Sequence, residues 1–188
     1  VSTAVSTAVT MSVFTNPTSS SREQHQAYTA AILGLLGDRD PVPVLERTPA
    51  QVEDMVARMS AEQLKKPEAP GKWNVAAVVQ HLADSDIVWG WRLRMVLAHE
   101  TPEITGYDQD AWANRLGYLD ADALEALSDF KALRRANLRL LGRCTPADLK
   151  RYGMHAERGE ESVAHMMKMY AGHDVLHLKQ IARIAGLS

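Results

Sequence analysis

The sequence predicts an all-α protein, an antiparallel four-helix bundle with short extra helices in its connections. Three observations predict it. Apolar residues recur at intervals of three and four along several long segments. Clusters of proline, glycine and capping residues separate those segments. No stretch shows the sustained two-residue alternation of a half-buried strand. The chain has 188 residues, 46% hydrophobic and 23% charged, which suits one domain with a sizeable core.

Residues 1–20 read VSTAVSTAVTMSVFTNPTSS, with the unit VSTAV repeated. Ser and Thr dominate them, helical periodicity is absent, and no continuous apolar stretch follows a basic one. They are expected to be a flexible tail rather than a signal peptide. Residues 21–188 are expected to be the bundle domain.

The pattern turns helical at Arg22 in REQHQAYTAAILGLL and ends near Gly37, before DRDPVP. In VLERTPAQVEDMVARM, Val52, Met55, Val56 and Met59 share one face, and Thr48 followed by Pro49 reads as an N-cap and first turn. After the break KKPEAPGK, Asn74 can cap a long helix over NVAAVVQHLADSDIVWGWRLRMVLAH. The connection TPEITGYDQDAWANRLGYL carries a short helix around Gln109 to Arg115. Asp120 and Asp122 open the amphipathic segment with Leu124, Leu127, Leu133, Leu138 and Leu141. TPADLKRYGMHAERGE is an irregular return with room for a short extended piece. The last helix runs from about Glu161 to Ile184 and stops at Gly186.

Composition excludes several function classes. The net charge is -2 and Lys and Arg are scattered, so nothing draws the chain to nucleic acid or to an anionic membrane. No run reaches the ~18 apolar residues of a membrane span. The single cysteine, Cys144, cannot form an internal disulfide, which points to a reducing, cytoplasmic setting and a packing role.

Chemistry concentrates in AGHDVLHLKQI. Positions 163, 166, 167, 170, 173, 174, 177, 181 and 184 form an inward stripe reading Val, Met, Met, Tyr, His, Asp, His, Ile, Ile, apolar at both ends and polar in the middle. His173 and His177 lie ~40° apart around the helix and ~6 Å apart along it, so both can ligate one ion. The same pair also suits hydrogen-bonded core histidines. His81, on one face with Val78, Ser85 and Val88, offers a third imidazole, and three imidazoles with an open position make a catalytic rather than a structural metal site. His25, His99, His155 and His165 are expected at the surface. Arg92 and Arg94 are expected to pair with acids on a neighbouring helix, although they could hold an anionic group of a substrate. The tryptophans are expected to pack.

Two motifs carry a resemblance. GKWNVAAVVQHLADSD and AGHDVLHLKQI, in that order and separation, resemble the signatures of the DinB/YfiT-like metal-binding bundle family, and YDQDAWA resembles a segment found in part of it. The resemblance spans roughly residues 24 to 186. It implies a four-helix bundle, commonly a homodimer, with His81, His173 and His177 as ligands of a divalent ion, zinc or nickel foremost. Characterised members of the family include S-transferases and isomerases that use bacillithiol or mycothiol, and others are labelled metal-dependent hydrolases or damage-inducible proteins. The implied activity is therefore a metal-dependent enzyme, either a low-molecular-weight-thiol S-transferase acting on a small electrophile or a hydrolase on the same site. A non-catalytic metal-binding stress-response or interaction bundle is the alternative. Asp174, on the inward stripe, is expected to orient an imidazole, and Asp84 either does so or meets solvent. Tyr107 and Trp112 either line a substrate mouth or pack.

Overall fold

A computed structural model describes residues 22–187, so the expected tail lies outside the described residues. The helices are α1 (Arg22–Leu36), α2 (Pro41–Val56), α3 (Ala61–Lys65), α4 (Val75–Ala98), α5 (Gln109–Arg115), α6 (Ala123–Leu141) and α7 (Val163–Ile184). Helices α2, α6, α4 and α7 pack in that cyclic order into a four-helix bundle, and α1 lies outside against α7. Chain order and ring order differ, so α2 and α4 stand diagonally, as do α6 and α7. The two diagonal steps are made by the long connections through α3 and through a hairpin, since a short loop joins only neighbouring helices.

Most helix starts follow the capping residues. Asn74 Oδ1 accepts from Ala77 N at 2.8 Å, and Asp122 Oδ1 accepts from Leu124 N and Glu125 N. The start of α2 differs from the sequence reading. Its cap is Asp40, whose carboxylate accepts from Val42 N, and Thr48 and Pro49 lie inside the helix. Pro41 and Pro43 are tolerated because first-turn amides need no helical acceptor. Pro49 is tolerated for another reason. Lacking an N–H, it leaves the Leu45 carbonyl without its helical donor, and the buried Arg134 donates there from Nη1 at 2.9 Å.

The return between α6 and α7 is more ordered than expected. Strands β2 (Tyr152–His155) and β3 (Gly159–Ser162) form an antiparallel hairpin, and β1 (Glu103–Ile104) joins β2 in parallel register. Gly153 is required there, since a Cβ would stand 2.8 Å from Pro102 O and 2.7 Å from Ile104 Cδ1. Ser162 caps α7 by accepting from His165 N.

The core has two large apolar clusters with a polar belt between them, and two small ones around Ile32 and Tyr118. One large cluster gathers Val52, Val56, Val78, Leu82, Phe130 and Ile181; the other gathers Leu45, Trp89, Leu93, Val163 and Met166. Between them lie His81, Asp84, Ser85, Asp86, Arg134, Asn137, Asp174 and His177, all buried. Among the described residues no helix is long and apolar enough to cross a membrane.

Candidate metal centre

The middle of α4 and the middle of α7 face each other across this belt. His81 is fully buried, His177 is buried and His173 is half-buried. Their Nε2 atoms converge. His173 Nε2 lies 3.0 Å from His81 Nε2 and 3.0 Å from His177 Nε2. Nitrogens ligating one zinc ion tetrahedrally stand ~3.3 Å apart, so the spacing is close to that of a coordination site.

Burial holds the histidines uncharged. Desolvation, and then the charge of neighbouring rings, keeps His81 and His173 well below the ordinary imidazole range. Burial also pushes His177 down to about 4, against the opposing influence of Gln180 and Asp174. Gln180 Oε1 lies 2.8 Å from His177 Nδ1, which fixes the proton on that nitrogen and leaves Nε2 a bare lone pair. Three neutral rings in this arrangement cannot satisfy one another. A proton on His173 Nε2 serves one neighbouring lone pair well, and a proton on His81 Nε2 leaves those of His173 and His177 opposed. A cation at the convergence point answers all three, so the residues fit a metal. Trp73 closes the site on one side, its ring 5.1 Å from that of His81.

The two acids named from sequence bind elsewhere. Asp84 accepts from the Tyr118 hydroxyl at 2.5 Å and from Gln80 Nε2 at 3.1 Å, so it is neither solvated nor bonded to His81. Asp174 gives both oxygens to Arg134, at 2.6 and 2.9 Å. Arg134 also bonds Asp86, and its guanidinium lies over the rings of Trp89 and Phe130. The polar contacts to the rings come instead from Gln180 and from Ser85, whose hydroxyl is 3.4 Å from His81 Nε2. Both stand at helical spacing, Gln180 three residues beyond His177 and Ser85 four beyond His81. That spacing is the signal by which they could have been found.

His173 opens on a cleft of about 50 Å³ lined by Tyr28, Ser85, Arg92, Tyr107, Arg158 and Tyr170 among others. Tyr107 thus borders the histidine site. Trp112 stacks obliquely on it, ring centroids 4.9 Å apart, and lines an adjoining pocket of about 260 Å³ with Ile87, Trp91 and Arg92. His25 and His155, expected at the surface, are buried, and burial pushes His155 down to about 3. Among the described residues the expected Arg–acid pairs are also missing. Arg94 bonds Gly90 O and Asn137, and Arg92 bonds only Thr105 O.

The chain as a whole resembles known proteins. The family model for the DinB superfamily matches residues 44–181, which is most of the chain. The chain belongs to the DinB superfamily. This DinB protein is 31% identical over 151 residues to the "Putative metal-dependent hydrolase YfiT" of Bacillus subtilis, covering 78% of this chain and 85% of that one. It is 33% identical over 140 residues to a Bacillus licheniformis protein of the same general name, covering 73% and 78%. The solved structure of Bacillus subtilis YfiT, described as a probable metal-dependent hydrolase with an unusual four-helix bundle topology, aligns with a TM-score of 0.70 at 28% identity, over 93% of this chain and 94% of that one. The diagonal chain order fits that description.

Proposed function

We propose that this protein is a metal-dependent enzyme that activates a small nucleophile, a low-molecular-weight thiol or water, at His81, His173 and His177. The nucleophile would meet its substrate in the cleft beside His173. One observation carries the reading: three uncharged imidazoles converge on a single point at the wall of a cleft. A divalent ion, when bound, supplies Lewis-acid stabilisation of an anionic nucleophile near neutral pH.

The chain's own residues supply the rest. Gln180 holds the proton of His177 on Nδ1 and so keeps Nε2 available. Burial keeps the rings neutral at physiological pH, which is the state in which they can ligate. Tyr107, raised above the ordinary phenol range chiefly by burial, keeps its proton and can donate a hydrogen bond to negative charge developing on a substrate. Tyr28 and Tyr170 narrow the cleft and limit water.

The test uses untagged protein. Metal is measured by mass spectrometry, and turnover is assayed with cysteine plus 1-chloro-2,4-dinitrobenzene and with 4-nitrophenyl acetate. The expected result is one ion per chain, with turnover in at least one assay that is lost in the His81→Ala/His173→Ala/His177→Ala variant. A chain without metal, or turnover that survives the triple change, overturns the proposal. Stoichiometric metal without turnover would favour a structural ion instead.

A further inference from the structure

The side chain of Arg92 belongs neither to the histidine trio nor to the Arg134 network. It is only 7% exposed, yet it has no ion pair among the described residues. Its single hydrogen bond runs from Nη2 to Thr105 O at 2.9 Å, and its Nε is buried with no partner. A buried guanidinium normally meets a carboxylate, because an unpaired charge away from water is costly. Most acids around it are engaged elsewhere, and Glu103, which lines the adjoining pocket, is exposed and makes no ion pair with it. Glu161 gives both oxygens to Arg158, and Asp84 is bonded to Tyr118 and Gln80. Glu157 faces His25.

The position of Arg92 is as telling as its lack of a partner. It lines both the cleft that reaches His173 and the adjoining pocket of about 260 Å³. That second pocket is walled by Ile87, Val88, Trp91, Met95 and Trp112, a mostly apolar surface with one cation, Arg92, and one acid, the exposed Glu103. Trp91 is 64% exposed and Ile87 50%, so apolar surface that would gain from a ligand lies at its mouth.

We propose that Arg92 recognises a carboxylate on the substrate, whose apolar body lies in the Trp91–Trp112 pocket while its reacting end faces His173. The substrate class is then a small organic acid with an aromatic or aliphatic body. A planar guanidinium with a free edge suits a planar carboxylate and discriminates against its uncharged amide. This assignment rests on the proposed reading of the histidine cleft for its reacting end, but the Arg92 contact stands on its own geometry.

Calorimetric titration of the full chain with 3-phenylpropionate and with 3-phenylpropionamide tests it, on protein loaded with zinc and on protein stripped by chelation. The wild type is expected to bind the acid at least tenfold more tightly than the amide, with or without zinc. Arg92→Gln is expected to abolish that preference, and Arg92→Lys to keep part of it. Equal affinity for acid and amide in the wild type overturns the proposal even if Arg92→Gln fails to fold. So does a preference that survives Arg92→Gln, or one that disappears on chelation, since the ion would then be the anchor. Loss of the enzyme reading leaves a different trace, an Arg92-dependent acid preference in a chain that turns nothing over.

Discussion

Removing Arg134 should expose how much the bundle depends on one side chain. From α6 it reaches Asp86 on α4, Asp174 on α7 and Leu45 O on α2, and it is 2% exposed. Arg134→Met keeps much of the volume and deletes every one of those bonds. Breaking a buried ion pair from one side costs roughly 3–5 kcal/mol, because the remaining charge is stranded. The Leu45 carbonyl, already deprived of a helical donor by Pro49, adds ~1–3 kcal/mol when left bare. Against a total stability of about 5–15 kcal/mol, a loss of ~4–8 kcal/mol lowers Tm by about 8–32 °C at ~2–4 °C per kcal/mol. Urea titrations followed by circular dichroism at pH 8 and pH 6 measure it. The pH comparison has a definite sign. Burial raises Asp86 to about 6 in spite of Arg134, and losing Arg134 raises it further. A carboxyl with a folded pKa above its unfolded one penalises the fold when ionised and is relieved as pH falls. The wild-type-minus-variant difference should therefore shrink by ~1–2.5 kcal/mol from pH 8 to pH 6. Asp86→Leu/Arg134→Met/Asp174→Leu should recover most of the stability, since an apolar trio strands no charge. A destabilisation below about 1 kcal/mol in Arg134→Met, or one that grows on acidification, would refute the reasoning.

Other perturbations report on other parts of the structure. His81, His173, His177 and His155 all have depressed folded pKa values, so the unfolded chain binds more protons below its pKa near 6.5. Stability of the chelated protein is thus complete above that pH and falls by up to ~1.4 kcal/mol per pH unit per histidine below it, with acid unfolding between about pH 5 and 4; denaturant titrations that show a flat profile from pH 6.5 to 5 would contradict this. Gln180→Leu leaves His177 Nδ1 without its acceptor and is expected to weaken zinc binding by ~10–100-fold in competition with a chelating dye, whereas unchanged affinity would remove Gln180 from the site. Gly172→Ala would place a Cβ 2.2 Å from Ile32 O, a backbone atom of α1 that cannot step aside. A loss of ~1–3 kcal/mol or more is expected in thermal melts, and a wild-type melting curve would show that α1 is not held against α7 as described.

The long helices and the histidine trio were legible because their signals are local and periodic. The stripe from Val163 to Ile184 repeats at helical spacing, and Asn74 and Asp122 sit where caps belong. What was hidden depends on partners far away in the chain. Pro49 looks like a helix start until Arg134, 85 positions on, is seen to serve Leu45 O. Glu161 reads as the start of the last helix, yet it lies on β3 and is buried through its fork with Arg158. His155 alternates inward on a strand too short to declare itself. Arg92 fails in the opposite direction, since an acid partner is expected on a neighbouring helix and none pairs with it among the described residues.

The polar belt raises a question of charge that the histidines alone do not answer. Three neutral imidazoles bring no negative charge to a divalent ion, so before an anionic nucleophile binds, compensation comes from their surroundings. Asp174 follows His173 directly on α7, and its charge is shared with Arg134 rather than spent on a ring. Asp86 is the second carboxylate on the same guanidinium, and Asn137 Nδ2 donates to it at 3.0 Å. With both acids ionised, the trio carries one net negative charge, buried and close enough for Asp174 to act on His177. An arrangement of this kind costs the apo fold some stability, and a bound cation would offset that cost. On the proposed reading, the same three residues that tie α2, α4, α6 and α7 together also make the middle of the bundle a better place for a cation than three imidazoles in an apolar core would be.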